Sequence, residues 1–191
     1  EQHLAARRQQ ILDAARRSDD LVALSQRLGD EDYVLQAHHS RWTNFYLMGD
    51  ARISRADTLV GIRLYDRERH RQHRHIYGGH DPGVCACGTG ANAAWLTGCA
   101  DDALQLADQA VAIGEEIEHP MSQSIAFMWA TLAAFGTRNF TLARGGAEDD
   151  RPGQGQAGRA RAMASGAGRA RAGPAGGGGS RLAAALSAHR Q

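Results

Sequence analysis

The residues of this chain best suited to chemistry lie together in the run HRQHRHIYGGHDPGVCAC, from His70 to Cys87. Imidazole nitrogen and thiolate sulfur are donors that suit zinc, so His70, His73, His75, His80 and Cys85 form a candidate metal set. Their spacing argues the other way. Cys85-Ala86-Cys87 is C-x-C, where zinc motifs use C-x-x-C, and the histidines match no finger pattern. Asp81-Pro82 is a helix-start signal, because the Asp side chain accepts from first-turn amides and Pro lacks an amide that would have been orphaned. In a helix starting there, Cys85 and Cys87 point about 200° apart and cannot both face one ion. The expectation is therefore no cofactor, with loop imidazoles packing over a helix pair. A zinc element built on residues 70–87 is the alternative.

Other candidates carry less. His38-His39 has the residue type of a general base, but no nucleophile or paired carboxylate is in view, and a groove-lining pair with His38 beside Trp42 is expected. Trp42, Trp95 and Trp129 read as core. Gly78-Gly79 is too short to cradle a phosphate. Arg67, Arg69, Arg71 and Arg74 make a local basic cluster that could dock an acidic partner, although most such clusters are simply solvated. Lysine is absent from the chain, which rules out a G-x-x-x-x-G-K-[ST] phosphate loop. No catalytic activity is expected.

Bulk properties narrow the class further. A chain of 191 residues can build one domain with a core, and 22 basic against 21 acidic residues argue against a dedicated nucleic-acid binder, which usually shows a basic face. Three clustered cysteines do not make a disulfide framework, so a cytoplasmic location is expected. No apolar run resembles a signal peptide or approaches the roughly 18 residues of a membrane span. The first residue is not Met, which suggests that an upstream part is missing or removed.

The donors must be positioned by helices. Apolar spacing predicts a helix over 3–17 and, after a cap at Ser18-Asp19-Asp20, a second over 21–28 that Gly29 stops. Asp30 or Asp32 caps a helix over 33–48, and Gly49-Asp50 turns the chain into a partner over 51–65. After a loop at 67–80, Asp81-Pro82 opens a helix to Leu96, and Gly98 turns it into the amphipathic helix 101–117. A helix over 121–135 follows, closed by Gly136.

Aligning the turns at Gly49, Gly98 and Gly136 gives a repeat. Tyr46-Leu47 matches Trp95-Leu96, and Gly61 matches Ala110, with Ala103 also inward, so small residues stand where paired helices approach. The expected fold is all-α: tetratricopeptide-like helix-turn-helix repeats in a short right-handed solenoid. Residues 1–29 are N-terminal helices packing on the repeats, 30–144 the repeat region with its His-rich insertion at 67–80, and 145–191 a disordered Gly/Ala/Arg-rich tail. The tail holds 12 of the 23 glycines and no aromatic residue, and out-of-frame translation of GC-rich DNA explains it better than a native extension.

The strings Leu28-Gly29-Asp30, Gln36-Ala37-His38-His39, Leu64-Tyr65-Asp66, Arg69-His70, Tyr77-Gly78-Gly79-His80-Asp81-Pro82-Gly83-Val84-Cys85, Trp95-Leu96-Thr97-Gly98 and Glu118-His119-Pro120 resemble a known family. It is the tetratricopeptide-like C-terminal region of large bacterial AAA/STAND-type signalling ATPases, many of which carry a class III adenylate or guanylate cyclase domain. The resemblance covers about residues 26–144. It implies an interaction or regulatory arm of a signalling protein; no residue here matches the ATPase or cyclase sites.

The resulting expectation is a non-catalytic helical-repeat module that binds a protein or peptide segment, or a neighbouring domain of the same polypeptide, with no nucleic acid or membrane partner. Gln36, His39, Thr43 and Asn92 are the expected contacts on a concave surface formed by first helices. With so few repeats, the isolated chain is expected to be weakly stable or to self-associate.

Overall fold

The computed structural model describes residues 2–139, with side chains from Gln9 onward. The expected tail at 145–191 and the end of the expected repeat region, 140–144, lie outside the described residues. Within them the chain is all-helical: α1 Gln2–Leu28, α2 Glu31–Leu47, α3 Ala51–Leu64, α4 Arg67–His70, α5 His73–Ile76, α6 Pro82–Leu96, α7 Ala100–Ile117 and α8 Pro120–Gly136. There is no strand among the described residues.

Local chemistry sets most of the boundaries. Asp30 accepts from the Asp32 amide at 2.8 Å, Asp50 from that of Ile53, and Asp81 from those of Gly83 and Val84, each opening its helix. Gly49 and Gly98 adopt φ of +85° and +83°, the left-handed conformation that ends a helix cheaply only at glycine.

Three expectations are corrected. α1 runs unbroken through Ser18-Asp19-Asp20, because the Ser18 hydroxyl donates to the Ala15 carbonyl and Asp19 accepts from Arg41, so neither caps a new helix. The loop at 67–80 is not irregular throughout, since it folds α4, capped by Asp66, and α5. Gly136 does not supply the turn. Left-handed φ falls instead at Arg138, and Gly136 is glycine because a Cβ there would meet the Trp95 ring at 2.5 Å.

α6 is the centre of the bundle. It packs against α2, α3, α7 and α8, and every residue from Pro82 to Ala94 is buried. Its sequence PGVCACGTGANAA explains how: small side chains let four helices approach one axis, and no face is left for water. Val84 and Cys87 join Ala110, Val111, Ala126 and Phe127 in one core cluster, while Cys85 and Ala86 join Leu35 and Trp42 in another. The polar groups this helix buries are satisfied locally; Asn92 donates to the carbonyls of Gly88 and Trp129.

Candidate metal centre

Among the described residues the bundle brings two groups of donors close enough to share an ion: His39 with His80 and Cys85, and Asp32 with His70 and His73. In each group the candidate ligand atoms all lie within 4.8 Å of one another. This overturns the expectation that the chain offers no cofactor site. It also redraws the expected donor set. His70, His73, His80 and Cys85 take part but divide between two groups, each completed by a residue of α2. His75 joins neither; it is exposed, beside Arg74 and the His119 ring. Cys87 points away from Cys85 towards Gln109, as expected from the angle between them on a helix.

The first group is built from three elements. α2 supplies His39, which stacks on Trp42 with ring centroids 4.8 Å apart. The partner of Trp42 is thus His39 rather than the expected His38, whose Nδ1 hydrogen-bonds the Asp57 carboxylate. Trp42 is in turn seated on α3 at Gly61, where any Cβ would overlap the indole. The loop supplies His80. Gly78 and Gly79 both adopt φ of +73°, which folds the chain back so that the His80 ring reaches α2. The first turn of α6 supplies Cys85.

Tautomers decide what this group can do. His80 Nδ1 lies 2.9 Å from the Gly78 carbonyl, an acceptor only, so in the neutral ring Nδ1 carries the proton and Nε2 presents a lone pair. His39 Nδ1 lies 3.2 Å from Gln36 Oε1 and is fixed the same way. The two Nε2 atoms then face each other at 3.2 Å, an arrangement of two lone pairs that needs a proton or a cation between them. Two nitrogens bound to one tetrahedral zinc ion sit about 3.3 Å apart, given Zn–N bonds of 2.0–2.1 Å.

The electrostatics of the group suit a bound cation better than a free acid or base. Burial, reinforced by His80 and His73, pushes His39 down to about 3, so at neutral pH it offers a lone pair without losing a proton. Burial pushes the Cys85 thiol up, with Asp81 adding to the shift, while Trp42 and Thr89 partly oppose it. A metal must therefore displace that proton. The Trp42 indole N–H is buried and outside hydrogen-bonding geometry to any neighbour among the described residues, yet it favours the Cys85 thiolate. A metal-bound sulfur would give this donor its acceptor. The buried Asp81 carboxylate, which also accepts from Tyr65 at 3.1 Å, is placed to balance part of the ion's charge.

The second group is satisfied from within. His70 Nδ1 accepts from the Asp66 amide at 2.9 Å, which leaves its proton on Nε2, donated to Asp32 Oδ1 at 3.2 Å. His73 Nε2 lies 3.7 Å from Asp32 Oδ2. Burial opposes the Asp32 carboxylate, but Arg69, His70 and His73 outweigh it and hold the carboxyl below its ordinary value.

Of the residues expected to form an exposed contact surface, two are buried. His39 is 9% exposed and belongs to the donor group; Asn92 is 1% exposed and ties α6 to α8. Thr43 donates to the His39 carbonyl, and Gln36 lies between the two donor groups. His39 and Asn92 turn inward because α2 and α6 are the bundle's inner helices, whereas Gln36 and Thr43 stay half-buried.

Fold and site together define a small all-helical domain with histidine, cysteine and aspartate donors gathered between its second helix, its loop and its central helix. Over 119 residues, 62% of its length, the chain is 26% identical to an uncharacterized protein of Rhizobium meliloti (strain 1021). That match spans 12% of the relative's own length. No family model matches the chain, and no solved structure matches it. No helix of the described residues is long and apolar enough to cross a membrane.

Proposed function

We propose that this chain is a metal-binding helical module in which His39, His80 and Cys85 hold a zinc-type ion. The observation that carries the reading is the pair of imidazole lone pairs held 3.2 Å apart beside a buried thiol. A donor set of two imidazole nitrogens and one thiolate sulfur suits zinc or cobalt and is poor for magnesium or calcium. The ion would fasten the His-rich loop to α2 and α6, a structural or regulatory role.

The module fits a larger interaction protein. Met121, Met128 and Leu132 lie exposed at helical spacing along α8, as expected where a further helix or a partner packs. That stripe and the helix pairs α2/α3 and α6/α7 support a tetratricopeptide-like arrangement, and the resemblance carried by the strings at 77–85 and 95–98 suggests a place in a bacterial signalling polypeptide of the AAA/STAND type.

The metal assignment is tested by titrating tag-free protein with cobalt(II) and zinc(II). One equivalent of cobalt should produce a thiolate-to-cobalt charge-transfer band, which zinc bleaches and Cys85→Ser abolishes while Cys87→Ser retains it. Wild-type protein that binds neither ion stoichiometrically would remove the proposal.

A further inference from the structure

Gln36 is the residue on which both donor groups close. Its Oε1 lies 3.2 Å from His39 Nδ1 and its Nε2 lies 2.8 Å from His73 Nδ1. We propose that Gln36 is a positioning residue of the metal centre, holding His39 in the tautomer that binds the ion, and that the Asp32, His70 and His73 group serves to orient Gln36. This rests on the centre assigned above to His39, His80 and Cys85.

An amide side chain has one acceptor and one donor end, and here both are specified from outside. Asp32 Oδ2 lies 3.7 Å from His73 Nε2, beyond a direct hydrogen bond, but its negative charge favours the N–H on that nitrogen, so His73 Nδ1 presents a lone pair. That lone pair requires the NH2 end of Gln36. The carbonyl end is then forced towards His39, whose Nδ1 must donate, leaving His39 Nε2 free for the metal. Turning the amide over would set its NH2 against His39 Nδ1 and move the His39 proton to Nε2, where a metal cannot bind. The chain Asp32, His73, Gln36, His39 is therefore directional, and it runs from a carboxylate at the surface to a ligand in the interior.

The same logic separates the two groups. His70 is committed by the Asp66 amide and His73 by Gln36, so both present N–H rather than a lone pair to the position an ion would take. Their protons hold Asp32, and Asp32 holds them. The proximity of these three side chains serves this anchor, a hydrogen bond from His70 and a longer charge contact from His73, and not a second centre.

The test uses the full chain without a tag, as wild type, Gln36→Leu and Gln36→Glu, with cobalt(II) titration and nitrogen-detected NMR of the histidine rings. Leu removes the acceptor, and the expected loss of cobalt affinity is about ten- to a hundredfold, the usual cost of an outer partner to a ligating histidine. In metal-free Gln36→Leu protein the His39 ring should lose its Nδ1-protonated signature. Glu restores an acceptor at His39 and should return affinity to within a few fold of wild type even if the Leu variant folds poorly. Wild-type affinity in both variants, alongside loss of binding in Cys85→Ser, would overturn the role of Gln36 and leave the centre standing. A second equivalent of cobalt lost in His73→Phe would overturn the anchor. No binding in wild type would instead strike the centre itself.

Discussion

At the scale of the residue, His39 combines the functions that make the site. It is buried, stacked on an indole and kept neutral, and these properties tie stability to pH in the metal-free protein. Its folded value, about 3, lies below the roughly 6.5 of a free histidine. The unfolded state therefore binds a proton that the folded state refuses, and stability is complete above about pH 6.5 and falls as the pH drops towards 3. The groups facing His39 are His80, His73 and Cys85; His73 is also held low by burial and its neighbour His70, with Asp32 opposing, and acts in the same direction. Asp32, held low, loses its contribution only below about pH 4. Between about pH 6.5 and 5, chemical denaturation with a chelator present should show stability declining by up to about 1.4 kcal/mol per pH unit from this one ring. His39→Phe, which keeps the stack on Trp42, should remove one proton's worth of that slope; an unchanged slope would mean that the ring is not buried neutral. The donor types at 70–85 were legible in the sequence, but their grouping was not. Asp32 and His39 come from a helix some thirty residues or more upstream, and only tertiary packing places them. The one local signal was an imidazole three residues before Trp42 on an apolar helix face, a position where a polar ring needs partners.

Elements hold these residues at fixed depth, and here the interface of α2 with α3 matters most. Gly61 of α3 lies directly under the Trp42 ring. Alanine at 61 would gain about 1 kcal/mol from helix propensity, yet its methyl would drive the indole from its seat, and overpacking of this kind costs about 1–3 kcal/mol. Because Trp42 carries both the His39 stack and the N–H facing Cys85, Gly61→Ala should lower the denaturation midpoint and weaken cobalt binding together. A stabilised variant with unchanged affinity would show that Trp42 is not the platform of the site. Helix starts at Asp30, Asp50 and Asp81, and the turns at Gly49 and Gly98, were readable because each depends on one side chain or one φ angle. The break placed at Ser18 and the turn placed at Gly136 failed for a common reason. Each residue has a competing partner that the sequence does not display: a carbonyl of its own helix for Ser18, and a tryptophan from a different helix for Gly136.

The whole molecule divides into a part that the ion would tie together and a part that it would not. The helical class followed from periodicity, whereas the central place of α6 did not, because a helix buried on every side has no amphipathic stripe to reveal its neighbours. His39, His80 and Cys85 join α2, the loop and the start of α6, whereas α7 and α8 pack chiefly against α6 and each other. Binding to the folded state alone stabilises by about 2.7 kcal/mol at a free zinc concentration about one hundred times Kd, so the melting temperature should rise with zinc. The local effect should be larger than the global one in the loop. α4 and α5 are one turn each, too short to persist alone, and they are held to α2 by the Asp32 anchor and by an Arg69–Glu31 ion pair that is largely exposed and so contributes little. Fixing His80 to α2 and α6 closes the far end of that segment. Hydrogen exchange followed with and without zinc should therefore show the strongest new protection across 70–85 and at the α2 turn carrying His39, with α8 slowed only by the global shift. Protection gained equally along α7 and α8 would mean that zinc binds elsewhere or acts by general compaction. Protection confined to α4 and α5, without His80, would place the ion on Asp32, His70 and His73 instead.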